Sequence, residues 1–244
     1  MAGLRLSRTQ AAFEIEPQVD GTFHVRVPHG DGSILVRPML PGESLLPVFR
    51  LAYDIFVNEK GLVARDALPV EQQAMEAKWD RWDEPATTRH FVAVHDGHVV
   101  GHMRLVGDSP LGLPMEHYGF DLGAQRRRGE EVQEISKLMI ARLYRGGGIM
   151  AALYWHVFQS SYVQQGLPSV YLSCERPLTA LYGRIGAVEI GQFAHREASG
   201  VFAAMRVDFV GSYERQFDAS YRAAVSQRRQ RGMTGQHALI PSAA

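Results

Sequence analysis

Residues 134–148, EISKLMIARLYRGGG, carry the residue types most able to do chemistry in this chain. An acid, Glu134, stands three positions before a base, Lys137, in a run of strand-forming residues. A basic, glycine-rich turn then leads into an apolar helix. Amide N–H groups at a helix start lack intrahelical partners and bind phosphate, and glycines let a ligand come close to the backbone. Arg142, Arg145, Gly146, Gly147 and Gly148 therefore suit a phosphate, although glycines are also common in plain strand-to-helix loops. Elsewhere KWDRWD sets Asp80 and Asp83 three apart, and Arg104 lies near the end of a hairpin strand. Asp80, Asp83, Arg104, Glu134 and Lys137 either build a site or neutralise one another as ion pairs. Charge within a strand pattern needs partners or a purpose, because burying it alone is costly. The odd spacing of Glu134 and Lys137 puts them on opposite faces of a regular strand unless a bulge intervenes. Tyr182 sits in a short helical pattern, ERPLTALYGRIGA, where a tyrosine usually packs in a core.

The elements that must position these groups read as follows. AFEIE and TFHVRV alternate as a short hairpin, and SILVRPML is a strand ended by Pro38 and Pro41. Helical spacing runs from Glu43 to Gly61, and a second helix is expected over 69–79. HFVAV and HVVGHMRLV flank Asp96-Gly97, a two-residue hairpin turn that accommodates positive φ. Residues 107–130 read as a long loop. A strand over VQEISKLMI, an apolar helix from Ile149 to about Gln165, a strand, a short helix and two further strands follow. The later strand–helix–strand unit should cross over right-handed. The expected fold is α+β, a mixed, mostly antiparallel sheet with helices on both faces. The expected divisions are an N-terminal hairpin extension over 1–33, the main domain over 34–210, and a basic tail over 211–244 with helix potential near 213–228.

Composition narrows the function classes. The 244 residues carry 26 Lys and Arg against 26 Asp and Glu. That balance lacks the basic field of a typical nucleic-acid binder. Cys174 is the single cysteine, so no internal disulfide forms, which fits a reducing compartment. No stretch reaches the roughly 20 apolar residues of a spanning helix, and no signal peptide is visible, so a cytoplasmic protein is expected. The histidines are scattered without metal-ligand spacing, and no metal is expected.

The strand, glycine-rich turn and helix, followed by the tyrosine-bearing helix, together resemble the GNAT acyltransferase superfamily. Arg145-Gly-Gly-Gly148-Ile-Met150 matches the first four positions of its Arg/Gln-x-x-Gly-x-Gly/Ala loop and departs at Met150. The series Asp80-Arg-Trp-Asp83, Gly101-His-Met-Arg104 and Glu134-Ile-Ser-Lys137 further resembles the N-acyl amino acid synthases and acyl-homoserine-lactone synthases, with Lys137 where an arginine is usual. The resemblance covers roughly residues 45–195. Lactone synthases usually carry a basic residue four before the helix Phe and a Trp after its Gly. Here Ala52 and Leu62 stand there, which favours the amino acid branch.

The resemblance implies transfer of a fatty acyl group from an acyl-pantetheine thioester, on acyl carrier protein or coenzyme A, to the amine of an amino acid or related metabolite. Backbone N–H groups of Leu138, Met139 and Ile140 would form an oxyanion hole. Glu134 would act as base and Tyr182 would protonate the leaving thiolate. Arg104 and Lys137 would hold an acceptor carboxylate, with Asp80 and Asp83 steering its ammonium. Three further outcomes share the fold: a lactone synthase, a coenzyme A-dependent acetyltransferase, and a non-catalytic binding module.

Overall fold

The computed structural model describes residues 13–18, 22–84, 86–198 and 200–209; the expected basic tail lies outside them. Nine strands form one sheet in the order β1-β2-β3-β4-β5-β6-β7-β9-β8. They are β1 (Glu14–Pro17), β2 (Phe23–His29), β3 (Gly32–Pro38), β4 (Thr88–His95), β5 (His98–Gly107), β6 (Gln133–Ile140), β7 (Ser169–Glu175), β8 (Ala187–Ala194) and β9 (Val201–Asp208). Every neighbouring pair is antiparallel except β6 and β7, which run parallel as expected for strands joined by a helical crossover. The N-terminal hairpin continues this sheet, because β2 pairs with β3 and β3 with β4.

Alternation along the strands divides the core. Phe91 and Ala93 of β4, Met103 and Leu105 of β5 and Ile135 of β6 pack on one face with helix α5 (Ile149–Phe158). Val92 points to the other face, where Val48, Leu51 and Ala52 of α1 (Leu46–Tyr53) cover it. Further along that second face, Val106 and Tyr171 pack with Leu113, Met115 and Leu122. The Asp-Gly turn behaves as its chemistry requires, with φ of 47° at Asp96 and 78° at Gly97.

Three elements differ from the sequence expectation. The first helix changes to a π-turn over Asp54–Glu59. The second, α2 (Val70–Met75), stops before Trp79, because Glu76 takes a left-handed conformation that ends it. The stretch read as a long loop contains two short helices, α3 (Pro114–Tyr118) and α4 (Gly123–Arg127). Each is too short to show helical periodicity. Side-chain contacts hold them: Arg126 bonds both Asp108 and Glu116, and the Trp82 indole N–H donates to the Gly112 carbonyl at 2.9 Å.

Candidate active site

The centre of the site is a break in the sheet. Strands β6 and β7 pair only at Glu134↔Tyr171 and Ile135↔Leu172. Beyond that point β6 continues along β5 to Ile140, while β7 continues along β9 to Glu175. The facing edges of the two strands therefore separate, leaving unpaired backbone groups along a wedge that opens toward the glycine-rich turn. Such edges demand hydrogen-bond partners.

A bulge shapes the β6 side of the wedge. The register against β5 shifts between His102↔Met139 and Arg104↔Ser136, so Lys137 and Leu138 together oppose one residue. Lys137 has a φ of 50°. The extra residue resolves the spacing conflict between Glu134 and Lys137: Ser136 and Lys137 both turn to the α1 face, whereas Leu138 packs toward the α5 side. After the bulge, the Ala141 N–H donates to the Val100 carbonyl of β5. Backbone N–H groups alternate along a strand, so Met139 directs its N–H to β5 and Ile140 directs its own into the wedge. Of the three amides expected to hold an oxyanion, Ile140 thus faces the gap, Met139 does not, and Leu138 stands beside the bulge.

The charged residues predicted from sequence come together, with one exception. Arg104 Nη1 lies 2.6 Å from Asp80 Oδ1 and 2.7 Å from Asp83 Oδ1. Lys137 Nζ lies 2.5 Å from Asp83 Oδ2 and 3.1 Å from Asp80 Oδ2. Arg104 Nε donates to Ser136 Oγ at 2.9 Å, fixing the guanidinium to the strand with the bulge. Two carboxylates and two cations close a neutral, buried set. Burial alone would push the Asp80 carboxyl up, but Lys137 and Arg104 hold it well below the usual range. Burial and the Arg104 charge pull the Lys137 ammonium down against the two carboxylates. Arg104 is 1% exposed, which leaves it no free surface for an acceptor.

Glu134 stands apart from these four. It shares their face, but its carboxyl accepts the Met115 N–H at 2.7 Å and is bonded to neither cation. Burial dominates there and pushes its pKa up to about 8. Tyr182, on α6 (Thr179–Gly183), packs in the cluster on the α5 face, across the sheet from Glu134. Burial raises its phenol, and the neighbouring Cys174 and Glu175 add to that, so it remains protonated.

The turn leading into α5 follows β6 at the open end of the wedge. Arg142 and Gly146–Gly147 are exposed, and Gly146 has a φ of 83° that favours glycine. Arg145 is committed elsewhere: its guanidinium forks onto Glu59 at 2.5 and 2.7 Å, and its Nε donates to the Ile140 carbonyl. Gly101, from the Gly-x-x-Arg stretch, lets α5 start close to the sheet. A Cβ there would lie 3.0 Å from Ile149 Cγ2 and 3.1 Å from the Ala93 Cβ.

A histidine pair across the hairpin stands on the same face. His90 Nδ1 meets His102 Nε2 at 2.9 Å, and the outer nitrogens meet the carbonyls of Asp83 (2.7 Å) and Lys137 (3.2 Å). Carbonyls only accept, and the inner contact needs a proton of its own, so two neutral rings make the inner bond and one of the two carbonyl bonds. The pair spans the Asp80–Asp83 segment and the bulge. Its signal in the sequence is the positions of His90 and His102 across a hairpin, which only the register makes specific.

A mixed sheet with a parallel wedge, a β6 bulge and a glycine-rich turn into a central helix defines a GNAT-fold N-acyltransferase. The profile of the FeeM family, described as N-acyl amino acid synthase FeeM, matches residues 47–208, and the chain belongs to that family. FeeM from uncultured soil microbes, an N-acyl amino acid synthase, superposes with a TM-score of 0.55 at 18% identity, covering 77% of this chain and 97% of that one. Escherichia coli ElaA gives a TM-score of 0.50 at 17% identity over 72% of this chain and 99% of its own. An uncharacterized protein from Bacillus halodurans gives 0.53 at 10% identity over 88% and 99%. No curated protein matches by sequence. No helix among the described residues is long and apolar enough to cross a membrane.

Proposed function

We propose that this acyltransferase moves a fatty acyl group from a pantetheine thioester, on acyl carrier protein or coenzyme A, to the amine of an amino acid. The observation that carries the reading is the wedge beside the bulge, together with membership of a family described as N-acyl amino acid synthases. The pantetheine arm lies between the unpaired edges of β6 and β7, with its phosphate at Gly146–Gly148 and Arg142. The thioester oxygen accepts the Ile140 N–H, and Leu138 adds a second donor. Glu134, through water, takes a proton from the ammonium. The freed amine attacks the thioester carbon and an amide C–N bond forms; the C–S bond breaks, the thiolate takes the Tyr182 proton, and the second proton lost by the amide nitrogen restores the phenol. The four-charge set acts as a positioning device: it fixes Lys137, hence the bulge, hence the direction of the Ile140 N–H.

The test supplies purified protein with dodecanoyl-acyl carrier protein or dodecanoyl-coenzyme A and follows thiol release with and without amino acids. Release that requires an amino acid supports the reading, and the faster thioester identifies the donor. Release unaffected by amino acids contradicts it.

The phosphate assignment has its own consequence. Arg142→Glu should weaken donor affinity about tenfold at low salt, with a smaller loss at high salt as screening grows. Arg145→Glu should weaken it too, by setting two acids against each other at Glu59 and releasing the turn from Ile140. Titration of each variant at two salt concentrations checks both; unchanged affinity in Arg142→Glu removes the turn from the donor site.

A further inference from the structure

A second cleft, of about 790 Å³, lies beyond the end of β3, where β4 continues past its partner. Its volume falls in the range of small-molecule sites. Much of one wall comes from outside the family match: Phe23, Met39, Leu40 and Leu45 all precede residue 47. With Phe91 they form an apolar surface. The opposite wall is polar and comes from β4 and the π-turn that extends α5, Gln159–Val163. The wider turn brings Gln159 and Ser160 inward, to 4% exposure each.

The polar wall is short of acceptors. Gln159 Nε2 is buried without a hydrogen-bond partner among the described residues, as is Thr88 Oγ1 on the opposite face of β4. Leaving such groups unsatisfied is costly, so Gln159 marks a place where a ligand atom belongs. Arg89 shares the α5 face with Gln159 and bonds only neutral groups, Ser160 Oγ at 2.5 Å and Gln164 Oε1 at 3.3 Å. Among the described residues it has no carboxylate partner.

The acidic groups on the cleft do not fill this need. Glu43 is forked onto Arg37 at 2.6 and 2.7 Å. Asp83 is held by Arg104 and Lys137. Glu84 is exposed at the rim. His90 and His156 also line the cleft, and burial lowers both, so they add no charge to attract or repel an anion at neutral pH. A guanidinium and an amide N–H, set against an apolar wall, are complementary to a carboxylate joined to a hydrocarbon.

We infer that this cleft binds an apolar carboxylate, with Arg89 and Gln159 on the carboxylate and Phe23, Met39, Leu45 and Phe91 on the hydrocarbon. A free amino acid with an apolar side chain and a long-chain carboxylate share this chemistry. The inference concerns binding and stands whether or not the chain uses amino acids as acceptors.

Calorimetric titration of the full chain tests it with three probes: L-phenylalanine, decanoate, and decan-1-ol as the counterpart lacking a carboxylate. At least one of the two carboxylates should bind about tenfold or more tightly than decan-1-ol, the scale of charge-assisted hydrogen bonds. Tighter phenylalanine identifies an amino acid site, and tighter decanoate a long-chain site. Arg89→Met and Gln159→Leu should each erase most of that preference. Unchanged melting of both variants serves as the fold control, and thiol release from the thioester donor, measured separately, reports on the acyl-transfer reading alone. If neither carboxylate outbinds decan-1-ol, or if the preference survives in the double variant, the inference is overturned.

Discussion

Glu134→Gln is expected to lower the rate of amide formation roughly 10²–10⁴-fold, the range for loss of a general base, while the protein stays folded. The substitution keeps the shape and keeps an oxygen to accept the Met115 N–H. It removes the ability to take a proton. The wild-type pH profile carries the same signature. Burial pushes the Glu134 carboxyl up to about 8, so near pH 7 only a minor fraction is ionised. The base form is the active one, so kcat/KM should climb with pH and level off above about 8, and the glutamine variant should lose that climb. A variant that melts earlier yet turns over normally per folded molecule would show instead that Glu134 is structural.

The second large effect is on stability. Asp83→Ala should destabilise the fold by about 3–5 kcal/mol, the cost of removing one partner from a buried ionic set. Asp83 is the residue shared most fully. One oxygen meets Arg104, and the other meets Lys137 and the Asp80 N–H at 2.8 Å. Its loss leaves two buried cations facing Asp80 alone. Because Lys137 anchors the bulge, the rate should fall along with the denaturation midpoint. Urea unfolding monitored by circular dichroism gives the first quantity. A midpoint shift under about 1 kcal/mol would mean that the set is solvated rather than closed.

The sequence carries the fold through patterns that repeat along it. The Asp96-Gly97 hairpin, the β6 strand and the apolar α5 stretch each show their period or their turn chemistry directly. Helices α3 and α4 escaped because five residues hold less than two turns. They exist through contacts distant in sequence, such as Arg126 with Asp108 and Trp82 with Gly112.

The site was legible as an ordered set of charged residues, but the pairing within it was not. Sequence suggested Arg104 as a carboxylate clamp or as a partner for Glu134. The register instead places it against Asp80 and Asp83, and Glu134 against the α3 backbone. That outcome depends on where a segment far from the strands folds back. The bulge could be posed as a requirement from the odd spacing of Glu134 and Lys137, and the φ of Lys137 meets it. The apolar-carboxylate cleft had no sequence signal, because its walls come from strand ends and a π-turn with no common period.

The most direct measurement of the central claim is mass spectrometry of lipid extracts from cells expressing the chain, compared with cells expressing Glu134→Gln. The account predicts long-chain N-acyl amino acids in the first extract and their near absence in the second. Acetylated small amines in place of long-chain products, or no new product from the wild-type chain, would contradict it.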